Sequence, residues 1–291
     1  VTCSITTISC SNVCNKYIIV VCLNSFVIDT GRSVYYEAIE TYHDNIFVAD
    51  IGAANCCNAA GNSLYGINGT FFYMTSQTPS PYNQYDVYRI AINDGLVERA
   101  RGFTNRMNSV SYGDCGTFVN LISPTPGGTY IFADSLTSFT NYSYLGEYIS
   151  QSQVKYAIGG VNLHMGQNLS STQYNDLVVA EADGVHLSIT HRSAIFKLNN
   201  AYDDIVLLSV FSTNSVLSPI TSGLNLYELR VMINNIWGTQ IYHGIAVDGG
   251  GSTQIVTKEN NIRKCIRTGD WQSTPGVYQP RNVYTMICAQ I

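Results

Sequence analysis

Apolar positions in this chain gather in short runs bounded by Gly, Asn or Pro, and long stripes at helical spacing are scarce, a pattern that predicts a body of short strands. Runs of this kind lie at Asn45 to Asp50, Tyr130 to Ala133, Asp176 to Ala180, Ile205 to Phe211, Ile241 to Val247, Gln254 to Thr257 and Val283 to Cys288. One helix is marked at its start, where Asn225 and Glu228 fit a capping box and Leu224 is placed to staple onto Leu229. Leu226, Leu229, Ile233 and Trp237 then fall on one face that should dock on a sheet, and Gly238 stands where helices commonly end. Weaker helical spacing near Val34 to Thr41 and near Ala53 to Ala60 predicts two more helices. The fold class that follows is α+β, a single β-rich domain with mixed sheets and a few helices.

Residues 1–30 read differently from the rest: they are rich in Thr, Ile, Val and Cys, almost without charge, and contain the strand-like Tyr17-Ile-Ile-Val-Val-Cys22. They are expected to form an N-terminal Cys-rich β segment, a candidate docking or assembly arm, ahead of a main domain over 31–291. No repeat and no Pro-rich or Gly/Ser-rich linker divides that domain.

Composition narrows the class. With 291 residues, 45% of them hydrophobic, the chain can bury a sizeable core, while only 12% are charged. The formal net charge is −5 and the 15 basic residues are scattered singly, which offers no electrostatic footprint for nucleic acid. The longest apolar run, Tyr17 to Ile28, is too short to span a bilayer and is broken by Asn24 and Ser25, so no membrane insertion is expected. The opening residues show neither an initiating Met nor a charged start before an apolar stretch, and they read as mature material. Nine cysteines lack paired C-x-x-C spacing and favour disulfides over a metal site. The odd count leaves one thiol free or paired with another chain. Sequons at Asn68, Asn141 and Asn168 agree with a secreted, extracellular protein.

Three segments carry candidate chemistry. In Ile245-Ala-Val-Asp-Gly-Gly-Gly-Ser-Thr253 an apolar strand ends on an acid, followed by three glycines whose backbone can approach a ligand and whose N–H groups can form an anion-binding nest. A plain hairpin turn is the alternative. Tyr65-Gly-Ile-Asn-Gly-Thr-Phe-Phe72 also ends a strand-like run on a polar side chain followed by Gly. Its two aromatics suit a pocket wall or a core. In Ile189-Thr-His-Arg-Ser-Ala-Ile195 an Arg stands within a stretch suited to burial, where it needs a carboxylate or phosphate partner, Asp248 among the candidates.

Taken in order, the segments resemble the phosphodiester glycosidase family. The resemblance runs through Asn68-Gly-Thr-Phe-Phe72, Ala157-Ile-Gly-Gly160, Arg192-Ser-Ala-Ile195, Gly223-Leu-Asn-Leu-Tyr-Glu-Leu229, Val247-Asp-Gly-Gly-Gly-Ser-Thr253 and Arg281-Asn-Val283. It is best from about residue 156 onward and absent from the first 30. It implies a hydrolase that removes a sugar from a sugar-1-phosphate diester, and no residue set in the chain suggests a bound cofactor or metal. Asn68, Arg192 and Asp248 would be catalytic, with Gly69, Gly249, Gly250, Gly251, Ser252 and Thr253 binding a glycan or sugar-phosphate ligand. Arg can fork onto phosphate, glycine N–H groups can hold its other oxygens, and Asp248 can act as acid/base. An Asn68 that faces the pocket would leave its sequon unused.

Two positions depart from the family's pattern, Thr70 and Phe196, both where the family has Gly, and either could narrow the pocket. Glycosidic cleavage usually uses two carboxyl groups. Asp50, Glu37 and Asp183 are candidates for the second, and His191 and His243 for proton carriers. A reading of another class is a non-catalytic subunit of an extracellular fibre or surface. There residues 1–30 would pair with a neighbouring copy to give a homo-oligomer or filament.

Overall fold

Ile205–Ser212 is buried at every position, and it lies at the centre of a seven-stranded sheet covered on both faces. The order is β1 (Thr6–Ser9), β2 (Tyr17–Val27), β3 (Ser33–Thr41), β12 (Ile205–Ser212), β11 (Arg192–Leu198), β13 (Ile241–Ala246) and β10 (Val161–Asn162). A second sheet runs β15 (Ile262–Arg267), β14 (Gln254–Glu259), β5 (Tyr65–Asn68), β18 (Val283–Ala289) and β4 (Ile46–Ala54). A third runs β7 (Leu96–Val97), β6 (Ala91–Asn93), β9 (Val154–Gly159) and β8 (Thr117–Leu121), and β16 (Gly269–Trp271) pairs with β17 (Tyr278–Pro280). Every pairing among the described residues is antiparallel. This computed structural model describes residues 6–9, 17–28, 31–61, 64–71, 91–93, 96–97, 116–121, 154–182, 184–200, 204–212, 223–238, 241–259, 262–267, 269–271 and 278–290.

The fold is α+β, with helices on the outer face of the first sheet and the second and third sheets against its inner face. Ile39, Ile195, Leu207 and Ile245 of the first sheet meet Val48, Ile67, Ile255 and Ile287 of the second and Phe118 and Ile158 of the third in one core. Val34, Ala194, Phe196, Val206 and Leu208 point the other way, toward α2 (Ser171–Ala182) and α3 (Leu226–Trp237). A short α1 (Cys56–Ala59), within the span expected to be helical, lies on the far face of the second sheet, its first turn capped by Asn55.

The α3 helix has the capping box read from its sequence: Asn225 Oδ1 accepts from the Glu228 N–H at 2.8 Å, and Glu228 Oε2 from the Asn225 N–H at 2.9 Å. Its buried face holds Leu226, Leu229, Met232 and Ile233, together with Arg230, whose guanidinium donates to the carbonyls of His164 and Gln167.

Two expectations are corrected. Val34 to Thr41 is strand β3, because Val34, Tyr36 and Ala38 serve the helix-side core while Glu37 and Ile39 face the second sheet. A strand buried on both faces loses the polar alternation that would have separated it from a helix. Asp176 to Ala180 is the middle of α2, with Tyr174, Val178 and Ala182 buried at four-residue spacing. Its start signal is a second capping box, Ser170 with Gln173. Tyr130 to Ala133 lies outside the described residues.

Residues 17–27 join the main sheet directly, β2 pairing with β3 on one side and with β1 on the other over Tyr17–Val20. One disulfide, Cys57–Cys265, bears out the expectation of crosslinking, and Cys56 and Cys288 are buried thiols.

Asn225→Ala removes the reciprocal cap and should lower stability by about 1 kcal/mol. A shift of the urea midpoint with an unchanged slope is the expected signature. No shift would mean that tertiary packing alone fixes the start of α3.

Candidate functional site

The site forms where β13 runs out between β11 and β5. Val247 donates its N–H to Ser193 O at 2.9 Å, and the Asp248 N–H reaches Gly69 O at 3.2 Å, so the chain leaves the sheet suspended between two strands. Asp248 is half-buried there, and its Oδ1 accepts the Gly249 N–H at 2.9 Å. The glycines have distinct causes. A Cβ on Gly249 would lie 2.7 Å from His191 O, and Gly250 adopts φ +59 while donating its N–H to the same carbonyl at 2.9 Å. The ribbon then turns through a short 3-10 helix, Gly250–Ser252, into β14. Gly251, Ser252 and Thr253 are buried, and Arg281 Nη1 donates to Ser252 Oγ at 3.3 Å. The Gly249 N–H is therefore engaged by the Asp248 side chain and the Gly250 N–H by His191 O, so two of the N–H groups expected to form an open nest already have partners within the protein.

Asn68 lies under this ribbon with no exposed surface. Its Nδ2 donates to Asp248 O at 2.7 Å, and its Oδ1 accepts from Ser193 Oγ at 2.6 Å and from the Gln254 N–H at 3.0 Å. The amide is thus committed to holding β5, β11 and the two ends of the ribbon together. Gly69 is required beside it, since a Cβ would meet Thr285 Oγ1 at 2.2 Å.

Arg192 follows from β-strand alternation: its neighbour Ser193 points inward to Asn68, so the arginine points to the helix side. It is 2% exposed. Nε donates to Leu224 O at 2.8 Å, and Nη2 to Val185 O at 2.9 Å and to Ser188 O. Burial lowers its pKa to about 10, opposed by Tyr174, Asp248 and Glu228, so the guanidinium stays charged at neutral pH. Asp248 and Arg192 are therefore brought within electrostatic reach of one another, while the Asn68 amide supports Asp248 from the opposite side of β11.

Glu228 was legible only as a helix cap. Besides that role it pairs with Arg32, whose Nη1 also donates to Gly223 O at 2.9 Å, and it acts on Arg192 across the same space. Tyr174 completes the group, its hydroxyl donating to Asn162 O at 3.1 Å. No sequence signal singled out Arg32 or Tyr174, because each reaches the site from a distant part of the chain.

The remaining candidates are placed as follows. Phe196 packs edge-on against Trp237 at 5.0 Å, four residues along β11 from Arg192, and its ring belongs to the helix-side core. Thr70 Oγ1 donates to Gly159 O at 2.6 Å. Glu37 is buried between the first two sheets, bonded to Thr257 and 3.0 Å from Lys264 Nζ, which makes it a structural acid. Asp183 and the side chain of Asp50 lie outside the described residues, as does Asn141. His243 is exposed on β13. His191 is 3% exposed, its ring edge-on to Phe211, with neither ring nitrogen hydrogen-bonded. Burial lowers its pKa to about 4, which leaves it neutral and unsuited to carrying protons near pH 7. His186, also buried, is shifted down by burial and then by Arg192. Among the described residues no group of three or more His, Cys, Asp or Glu could hold a metal ion, and no helix is long and apolar enough to cross a membrane.

The fold has solved relatives in shape. The zebrafish N-acetylglucosamine-1-phosphodiester alpha-N-acetylglucosaminidase catalytic domain, auto-inhibited by its pro-peptide, matches with a TM-score of 0.62 at 16% identity, over 97% of this chain and 85% of that one. A putative exported protein of Burkholderia pseudomallei matches with a TM-score of 0.52 at 11% identity, over 90% and 75% of the two chains. No protein-family model and no curated protein matches by sequence. The likeness is one of fold.

Two predictions follow from the burial at this site. His191 binds a proton more readily unfolded, near pH 6.5, than folded, near pH 4, so its contribution is complete above about pH 6.5 and is lost as pH falls toward 4. The loss should approach about 3 kcal/mol. His191→Phe keeps the ring without the titration and should flatten the stability profile between those pH values. An unchanged profile would show that another group sets the acid limb. The second concerns the sequons: peptide mass spectrometry of protein made in a secretory host should find Asn68 unmodified and a glycan on exposed Asn168. A glycan on Asn68 would contradict the burial described.

Proposed function

We propose that this chain is a secreted hydrolase of sugar-1-phosphate diesters, with Asp248 as its acid/base group. The reading rests on one arrangement: a half-buried carboxylate at the end of β13, beside a buried arginine, on a ribbon kept free of side chains. The likeness in fold to a phosphodiester glycosidase supports it, and N-acetylglucosamine 1-phosphate diesters are the first substrates to test.

In the proposed reaction water adds to the anomeric carbon, the bond from that carbon to the phosphate oxygen breaks, and a phosphate monoester leaves. Asp248 moves the proton that this exchange requires. Arg192 has Nε and Nη2 engaged by backbone carbonyls, so its part is to supply positive potential beneath the phosphate and to hold the 185–188 turn and the start of α3 in place. Asn68 is a positioning residue that fixes the backbone of Asp248. Glu228 is the second carboxylate that acts on Arg192, and its oxygens are engaged by Arg32 and by the Asn225 N–H.

The same bonds favour a second reading, a non-catalytic subunit built on this fold. A sealed Asn68 and a largely carbonyl-bound Arg192 are what a structural knot would show. In that reading an assembly contact through β1 or β2 would use the outer edge of β1 or the part of β2 beyond Val20, since Ile18–Val20 is already paired on both sides.

Asp248→Asn decides between the readings, because asparagine keeps the oxygen that accepts the Gly249 N–H and removes only the charge. Release of free sugar from an alkyl N-acetylglucosamine 1-phosphate diester should fall at least ~100-fold with the melting temperature nearly unchanged. Full activity in the variant would remove Asp248 from the mechanism. No activity in the unmodified protein, with a concentration-dependent oligomer lost on deleting residues 1–30, would favour the subunit.

A further inference from the structure

The outer face of the second sheet carries four described cysteines that the candidate site does not use. The pairings Cys265↔Val256, Val256↔Gly66 and Gly66↔Cys288 place Cys265 and Cys288 in one row across β15, β14, β5 and β18, on the same side of the sheet. Helix α1 lies over that row and brings Cys56 and Cys57 to it as neighbours in sequence. Gly66, directly between Val256 and Cys288, presents no side chain to obstruct the approach. The helix is held in place by its backbone: Gln254 Oε1 accepts the Cys56 N–H at 2.9 Å, and Arg263 donates to the carbonyls of Cys57 and Gly61.

Cys57 is bonded to Cys265 at one end of the row, with their Cα atoms 5.9 Å apart. Three strand spacings of about 4.8 Å put Cys288 about 14 Å from Cys265. After subtraction of that 5.9 Å and one peptide step of about 3.8 Å, the shortest span left between Cys56 and Cys288 is about 5 Å, within the usual range for bridged Cα atoms. Both thiols are fully buried in the same cluster with Val256 and Met286, and each lacks a bonded sulfur partner in this structure. We propose that Cys56 and Cys288 are a second crosslinking site, closed by a disulfide when the chain folds under oxidising conditions, so that adjacent cysteines of α1 staple the helix to both β15 and β18.

The step is a two-electron oxidation. The two S–H groups lose two protons and two electrons, one S–S bond forms, and a small-molecule or protein disulfide is reduced to its two thiols. It takes place before β18 and α1 seal the site. Burial raises the Cys56 thiol pKa well above its ordinary value, with Cys288 adding to the rise, and pushes Cys288 to about 12, which removes the thiolate needed for exchange once folding is complete. Protein folded in a reducing compartment therefore keeps the pair as thiols.

The test is protein from an oxidising secretory host, denatured in guanidinium with iodoacetamide and no reductant, then digested and analysed by mass spectrometry. The expected product is one three-chain species in which the peptide holding Cys56 and Cys57 is linked to the Cys265 peptide and to the Cys288 peptide. Cys56→Ala should then leave Cys57–Cys265 intact and expose Cys288 to alkylation, which assigns the pairs. Alkylation of both Cys56 and Cys288 in the unmodified protein overturns the proposal, as does linkage of either to another cysteine.

Discussion

The arrangement of this molecule at its candidate site depends on one buried amide. Asn68 is the last residue of β5, and its side chain makes three bonds of normal length to distant segments: one to the backbone of Asp248, one from Ser193 on the first sheet and one from the backbone of Gln254 where the glycine ribbon re-enters the second. Two sheets that meet largely through apolar side chains are thereby joined at a polar point, as they are again where Glu37 meets Thr257 and Lys264. A hydrophobic replacement would fill much of the volume but leave a carbonyl, a hydroxyl and an N–H unsatisfied in the interior, each at about 1–3 kcal/mol. The backbone of Asp248 is tied to β5, while Ser193 and Gln254 are tied to the same amide.

Arg192 answers a different constraint. A cation 2% exposed is costly unless its donors are filled and an opposite charge is near. The chain fills Nε and Nη2 with carbonyls from the 185–188 turn and from Leu224, and it places two carboxylates in electrostatic range. The start of α3 and the ribbon are thereby gathered around one side chain. An arginine suits this role because its planar fork reaches several carbonyls at once and holds its charge even when burial draws the pKa down to about 10. The same rigidity limits what it can offer a ligand: field strength is available from it, and a two-pronged grip through Nε and Nη2 would first require the turn to let go.

Legibility in the sequence followed the range of the forces involved. The α3 helix could be read because its start is decided within four residues by Asn225 and Glu228, and an equally local signal at Ser170 and Gln173 marks α2 once it is sought. The β3 strand could not be separated from a helix by its pattern, because β2 and β12 flank it and both of its faces are covered, which leaves apolar residues at helical and strand spacings alike. At the site, residue types and order pointed to Asn68, Arg192 and Asp248, and the structure does draw all three to the end of β13. Their faces were not legible. Whether an amide looks into a cleft or into the core depends on pairings such as Arg192↔Val210 and Ala194↔Ala246, which join segments far apart in the chain. Arg32 and Glu228 show the same limit, meeting across 196 positions.

The glycine ribbon shows why fold and chemistry need not be separate explanations for a motif. Gly249 is required by its approach to His191 O, and Gly250 by a left-handed backbone, so both would be retained in a protein with no ligand at all. Yet the tight packing that excludes their side chains also lays the ribbon against the backbone of His191 and Arg192, and that holds the Asp248 carboxylate near a buried positive charge. One carboxylate oxygen is tied back to the ribbon by the Gly249 N–H, and the group acts electrostatically on the arginine. The structural demand on the glycines thus also places the carboxylate to which the proposed reaction assigns the acid/base role. The amide and the arginine beneath it are already held by the fold, so the proposed catalysis turns on the Asp248 carboxylate.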